Sequence, residues 1–171
     1  MDADELREVQ GPLKERYRVE PDTALVTLRA EGSLADSTVS CSVETGRAMV
    51  EAGLHPASGG DGSLACSGDM LLQALVACAG VTLRSVATNR GIDVAGGTVR
   101  AEGDLDFRGT MGVDRDSPVG FRAIRLHFDL ETDATRDELE ALLRSTERYC
   151  VVYQTLASGP DLSVESTIAT P

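Results

Sequence analysis

The chain has 171 residues, with 16 basic against 28 acidic side chains and a formal net charge of −12. That length makes one domain with room for a hydrophobic core. The acidic balance argues against nucleic acid and anionic membrane surfaces as partners. With no Trp, three Tyr and three Phe, the chain is also poor in stacking platforms for bases or sugars. Its first ten residues are acidic and carry no apolar run, so no signal peptide is expected and a cytoplasmic location follows. The cysteines Cys41, Cys66, Cys78 and Cys150 include no CxxC pair, and there are two histidines. Neither a disulfide scaffold nor a structural zinc site is expected, and no cofactor is called for.

Taken in order, residues 1–22 read as an N-terminal arm, with Leu6, Val9, Leu13 and Tyr17 at a helix-compatible spacing broken by Gly11 and Pro12. Residues 23–171 read as the domain. From Thr23 the apolar period is two: Val26, Leu28 and Ala30, then Val39, Cys41 and Val43, then Ala48, Val50, Ala52 and Leu54. Three short antiparallel strands are predicted, with Cys41 as a small core residue.

A glycine-rich loop from His55 runs into the stretch from Ser67 to Gly91. The loop fits neither a P-loop nor a dinucleotide fingerprint and is expected to be a mobile connection with Cys66 exposed. The stretch after it reads as one long helix, capped by Ser67, with Asp69 suiting the start and Arg90 and Gly91 marking the stop. Leu71, Leu72, Leu75, Val76, Val81, Leu83 and Val86 cover nearly all its faces, which predicts a buried helix. Its continuous apolar length and its caps argue against a membrane span. Cys78 lies at its middle among small residues, Ala77, Ala79 and Gly80.

Two further strands follow. Val99, Ala101, Gly103, Leu105 and Phe107 alternate with charged residues, as do Ile124, Leu126, Phe128 and Leu130, leaving His127 on the wet face. Thr135 and Glu138 form a capping box for a helix bearing Leu139, Leu142 and Leu143. A second helical stripe, Tyr149, Val152, Tyr153 and Leu156, begins around Cys150, and Leu162, Val164 and Ile168 predict a last strand. The order defines an α+β fold with antiparallel sheets. One sheet covers only one side of an all-round apolar helix, so a homodimer with the long helices at its centre is expected.

Three stretches carry a resemblance: Gly59 to Gly62 (GGDG), Ser67 to Cys78 (SGDMLLQALVAC), and Glu147 to Leu156 (ERYCVVYQTL). Over roughly residues 24–169 they resemble the OsmC/Ohr family, the osmotically inducible protein C-like thiol peroxidases and organic hydroperoxide resistance proteins. The resemblance implies antiparallel sheets wrapped around long helices in an intertwined homodimer. It also implies that Cys78 is a peroxidatic cysteine and Cys150 its resolving partner, with an organic hydroperoxide as substrate and a dithiol as reductant. The alternative is an OsmC-like dimer that binds a hydrophobic small molecule or partner without turnover. Three positions depart from the family pattern. Gly68 stands where the peroxidases carry a Glu, with Asp69 adjacent. Arg29 is the nearest match to the family's arginine, and Val151 replaces a Pro often found after the second cysteine. A thiol buried in an apolar helix with no cation beside it has its pKa raised.

Overall fold

The chain builds a four-stranded sheet, then a long helix, then a two-stranded sheet and a helical pair. The structure, a computed structural model, describes residues 2–5, 8, 10, 11, 19, 32–34, 40–44, 49–112 and 114–167, with the backbone alone for 32–34 and 40–44. Most of the expected N-terminal arm, its boundary at residue 22 and the expected strand through Val26 to Ala30 lie outside these residues.

The first sheet contains β1 (Gly32–Leu34), β2 (Ser40–Glu44), β3 (Met49–Gly53) and β4 (Ala65–Cys66) in that spatial order. The first three are antiparallel; β2 and β3 fall on two of the predicted strands, with Cys41 opposite Ala52, while β1 lies in a stretch for which no strand is predicted. Strand β4 is an addition. It lies parallel to β3, placing Cys66 opposite Gly53.

The glycine-rich loop between β3 and β4 is held rather than loose. Pro56–Ser58 forms a 3-10 turn capped by His55, whose Nδ1 accepts the Ala57 N–H at 3.0 Å. Asp61 accepts both the N–H and the hydroxyl of Ser63. The His55 ring also stacks on Phe107 with centroids 5.0 Å apart. Cys66 is half-buried, not exposed.

Helix α1 spans Ser67–Arg90. Its N-cap is Cys66 rather than Ser67, because the backbone is still extended at Cys66 where β4 pairs with β3, and no side chain caps it. At the other end Gly91 takes a φ of 69° and its N–H donates to Ala87 and Thr88 carbonyls, the expected left-handed stop. Leu75, Ala79, Leu83 and Ala87, spaced four apart, form the buried row. The opposite face is open in the single chain, with Val81 73 % exposed. All-round burial is therefore not achieved by one chain. The helix does prove long and apolar enough to cross a membrane by length and composition alone, with an 18-residue mean hydropathy of 1.6, which corrects the reading that it falls short. Here it is the helix around which the core is packed.

Strands β5 (Gly96–Leu105) and β6 (Phe121–Glu131) pair antiparallel across α1. Val99, Ala101, Ile124, Leu126 and Phe128 face the helix. Gly103 is required by a close approach: a Cβ there would meet Phe121 Cε1 at 2.4 Å. The wet face carries Arg125 paired with Glu102 and Asp104, with His127 among them as expected. Phe107 leaves the strand pattern. It opens the short helix α2 (Phe107–Thr110), because the Asp106 carboxylate accepts the Arg108 N–H and turns the chain.

Helix α3 (Arg136–Tyr149) begins with the predicted capping box of Thr135 and Glu138. Leu142 is fully buried against Leu83, Ala87 and Val94. Burial of one such side chain stabilises the fold by about 1.5–3 kcal/mol. Helix α4 (Val151–Ala157) follows at once. Beyond it, residues 158–167 form no strand. Leu162 and Val164 are almost wholly exposed, with no described strand alongside to pair with, so the predicted last strand is not formed there.

Candidate active site

The site forms where α1 meets the junction of α3 and α4. Cys78 sits at the middle of α1, next to Ala79 of the buried row. Cys150 closes α3 and opens α4: its N–H donates to the Thr146 carbonyl at 2.9 Å and its carbonyl accepts the Gln154 N–H at 2.9 Å. The backbone is extended at Cys150, so the chain turns there, and its fully buried side chain packs against Leu75 and Ala79. Cys78 packs on that same cluster and remains half-buried. The two residues singled out in the sequence are thus brought together.

Their environments differ. Burial pushes the Cys78 thiol up. Against that act the N–H of Val152, the Cys150 thiol, the N–H of Val151 and the Thr82 hydroxyl, and the balance leaves Cys78 below its ordinary value. The donors are available because the first N–H groups of a helix have no partner within it. Cys150 moves the other way: burial raises it and the neighbouring Cys78 sulfur adds to the rise, which the N–H groups of Tyr153 and Val152 only partly oppose. The expectation that Cys78 without a cation is pushed up is therefore corrected. Hydrogen-bond donors do what a guanidinium was expected to do.

The other candidate residues lie elsewhere. Asp69 and Cys66 line a separate cleft of about 370 Å³ with His55, Phe107 and Phe121. A side chain at Gly68 would enter that cleft, since a Cβ there would touch Phe121 and Cys66 at 3.5 and 3.6 Å. Asp69 precedes Cys78 by nine residues, about 13 Å along the helix. Arg29 and the Cys41 side chain lie outside the described residues. Of the arginines on α1, Arg84 donates to the Val94 carbonyl and Arg90 to Ser145 Oγ. Sequence reasoning missed Thr82, Val151 and Val152. Thr82 was findable, standing four residues after Cys78 on the same helical face. The other two act through backbone N–H groups, which no residue identity announces. Among the described residues no group of His, Cys, Asp and Glu is arranged to hold a metal ion.

An α+β chain with a two-cysteine site between a core helix and a helical elbow is the class these features define. A family model described as OsmC-like protein matches residues 60–165, and the chain belongs to the OsmC-like family. Solved structures agree on the fold. An OsmC-like protein from Mycoplasma pneumoniae superposes with a TM-score of 0.65 at 17 % identity, covering 78 % of this chain and 89 % of that one. An organic hydroperoxide resistance protein OsmC from Legionella pneumophila gives 0.61 at 19 %, covering 78 % and 91 %. OhrB, the organic hydroperoxide resistance protein of Bacillus subtilis, gives 0.54 at 15 %, covering 78 % and 93 %. A comparison with curated proteins finds no match.

Proposed function

We propose that the protein is a thiol-dependent peroxidase that reduces organic hydroperoxides with Cys78 as the peroxidatic and Cys150 as the resolving cysteine. The observation that carries this reading is the opposed tuning of two adjoining thiols, the half-buried one lowered and the buried one raised. The thiolate is the nucleophile, so the lowered, accessible thiol attacks first. The Cys78 thiolate attacks the terminal oxygen of ROOH, breaking the O–O bond and forming S–OH, while the displaced RO⁻ takes a proton and leaves as ROH. Cys150 sulfur then attacks the sulfenic sulfur, forming the disulfide and releasing water. An external dithiol supplies two electrons by exchange and restores both thiols. Membership of a family whose solved relatives include organic hydroperoxide resistance proteins supports the substrate class.

The active unit in this reading is an intertwined homodimer in the cytoplasm, with residues 23–171 as its domain and 1–22 as an arm. The open apolar face of α1 is the surface a second copy would cover. The competing reading, a dimer that binds a hydrophobic molecule without turnover, is separated by one experiment. Purified protein is mixed with cumene hydroperoxide and dithiothreitol, and loss of hydroperoxide is followed. Turnover that vanishes in Cys78→Ser supports the peroxidase. A wild type no faster than a free thiol at neutral pH leaves the binding reading in its place.

A further inference from the structure

The chain changes direction at one residue. Cys150 is extended, with φ −74° and ψ 109°, between the end of α3 at Tyr149 and the start of α4 at Val151. Helix α4 has only seven residues, too few to hold itself in water without support. Val152 and Tyr153 supply part of that support by packing on the cluster of Leu75, Ala79 and Cys150. The rest is a side-chain bond across the bend. Gln154 Nε2 donates to the Glu147 carbonyl at 2.8 Å, reaching from α4 back to the last turn of α3. In an unbroken helix that carbonyl would take the N–H four residues on, so the bend at Cys150 leaves it to be filled from elsewhere. Among the described residues, no other side chain of α4 makes a hydrogen bond.

We propose that Gln154 is a positioning residue for Cys150, its amide bracing the bend and keeping the buried Cys150 side chain on the cluster it shares with Cys78. The inference rests on the pairing of Cys78 with Cys150, but not on peroxide as the oxidant, because any oxidised form of Cys78 has to be met by the same thiol. The two backbone torsions at Cys150 set both where α4 lies and where the thiol sits. The Gln154 bond closes a loop over them. Its loss lets α4 fray and gives the thiol other places to be, which lowers the effective concentration of one sulfur at the other. Cys78 lies on α1, which Gln154 does not hold, and keeps its own reactivity.

The test replaces peroxide by a neutral aromatic disulfide, dithiodipyridine, in the full chain carrying Cys41→Ser and Cys66→Ser. The Cys78 thiolate attacks one sulfur of the reagent, forming a mixed disulfide and releasing one thiopyridone. The Cys150 thiolate then attacks the Cys78 sulfur, forming the protein disulfide and releasing the second. Both releases are followed by absorbance against pH, with Gln154 intact, in Gln154→Met and in Gln154→Arg. Methionine keeps the length of the side chain and removes the donor without adding charge; arginine keeps a donor. The second step is compared on its high-pH plateau, where Cys150 is fully ionised and a charge at position 154 no longer changes the thiolate fraction. In Gln154→Met that plateau should fall about fivefold, the worth of one net hydrogen bond, with the first step unchanged. Gln154→Arg should recover most of it. A Gln154→Met plateau equal to that with Gln154 intact overturns the proposal. So does a Gln154→Arg plateau as low as that of methionine, or a first step slowed as much as the second, since general loosening would then be the cause. If the chain with Gln154 intact releases the first thiopyridone and never the second, the pairing of Cys78 with Cys150 itself fails, and this inference with it. A Gln154 dependence in a protein that consumes no hydroperoxide ends the peroxidase reading alone.

Discussion

Cys78 and Cys150 share one apolar cluster with Leu75 and Ala79, yet their thiols are displaced in opposite directions from the ordinary cysteine value. Burial acts on both. What differs is the count of donors that reach each sulfur, and the partly open one receives more.

That asymmetry predicts the order of oxidation. Substoichiometric organic hydroperoxide should yield a single disulfide between Cys78 and Cys150, with Cys41 and Cys66 still alkylatable. In Cys150→Ser, Cys78 should progress to sulfinic and sulfonic acid, seen as mass gains of two and three oxygens on its peptide. Cys66 oxidising first would mean that access alone decides reactivity and would remove the special role of Cys78.

The carboxylate at the start of α1 is predicted to matter little. Asp69 lines the Cys66 cleft and is about 13 Å from Cys78 along the helix axis. Asp69→Asn should leave the hydroperoxide rate within about twofold of wild type, a change worth ~0.4 kcal/mol. A tenfold loss would show that Asp69 does the work of the family's glutamate after all.

Much of this was legible beforehand. The glycine stop at Gly91, the alternation from Val99 to Leu105 and the box of Thr135 with Glu138 each obey a short-range rule, and the structure keeps all three. The pairing of Cys78 with Cys150 came from resemblance, not from spacing. Strand β4 was hidden because Ala65 and Cys66 are too few to show alternation. Phe107 continued the strand period in sequence, but the Asp106 turn overrides it. The donors on Cys78 escaped notice for a different reason: Val151 and Val152 act through the main chain, which every residue but proline carries equally.

The core prediction concerns Leu142, which is fully buried against Leu83, Ala87 and Val94. Leu142→Ala removes packing between α1 and α3 and should lower the unfolding free energy by about 2–5 kcal/mol. Urea denaturation followed by circular dichroism measures it. A loss under ~1 kcal/mol would mean that the α1–α3 contact is not part of the stable core.

Acid should loosen the segment around α2. The Arg108 hydrogen bond holds the Asp106 carboxyl at about 2, below its ordinary 3.8. A folded value below the unfolded one means stability that is present above pH 4 and lost as pH falls from about 4 towards 2. Asp106→Asn removes that titration. Its melting temperature should therefore fall less steeply than that of the wild type across this interval. Parallel curves would assign the acid limb to other carboxylates.

The assembly prediction uses Val81, 73 % exposed on the open face of α1. Val81→Asp places a charge where the second copy is proposed to pack, and sedimentation at micromolar concentration should show the dimer of the wild type giving way to monomer. A wild-type chain that sediments as a folded monomer would sink the dimer.

The elbow at Cys150 has a mechanical consequence. Helix α4 has seven residues, a stiff rod of about 10 Å pivoted on the cysteine whose carbonyl starts it. A disulfide demands a sulfur separation of about 2.05 Å and a fixed torsion, shorter than any non-bonded contact between thiols. In the proposed reaction, closing that bond between Cys78 and Cys150 would draw the pivot inward and move the start of α4 with it. Under the proposed chemistry, the oxidation state of two sulfur atoms would thereby set the position of α4, where the chain leaves the core.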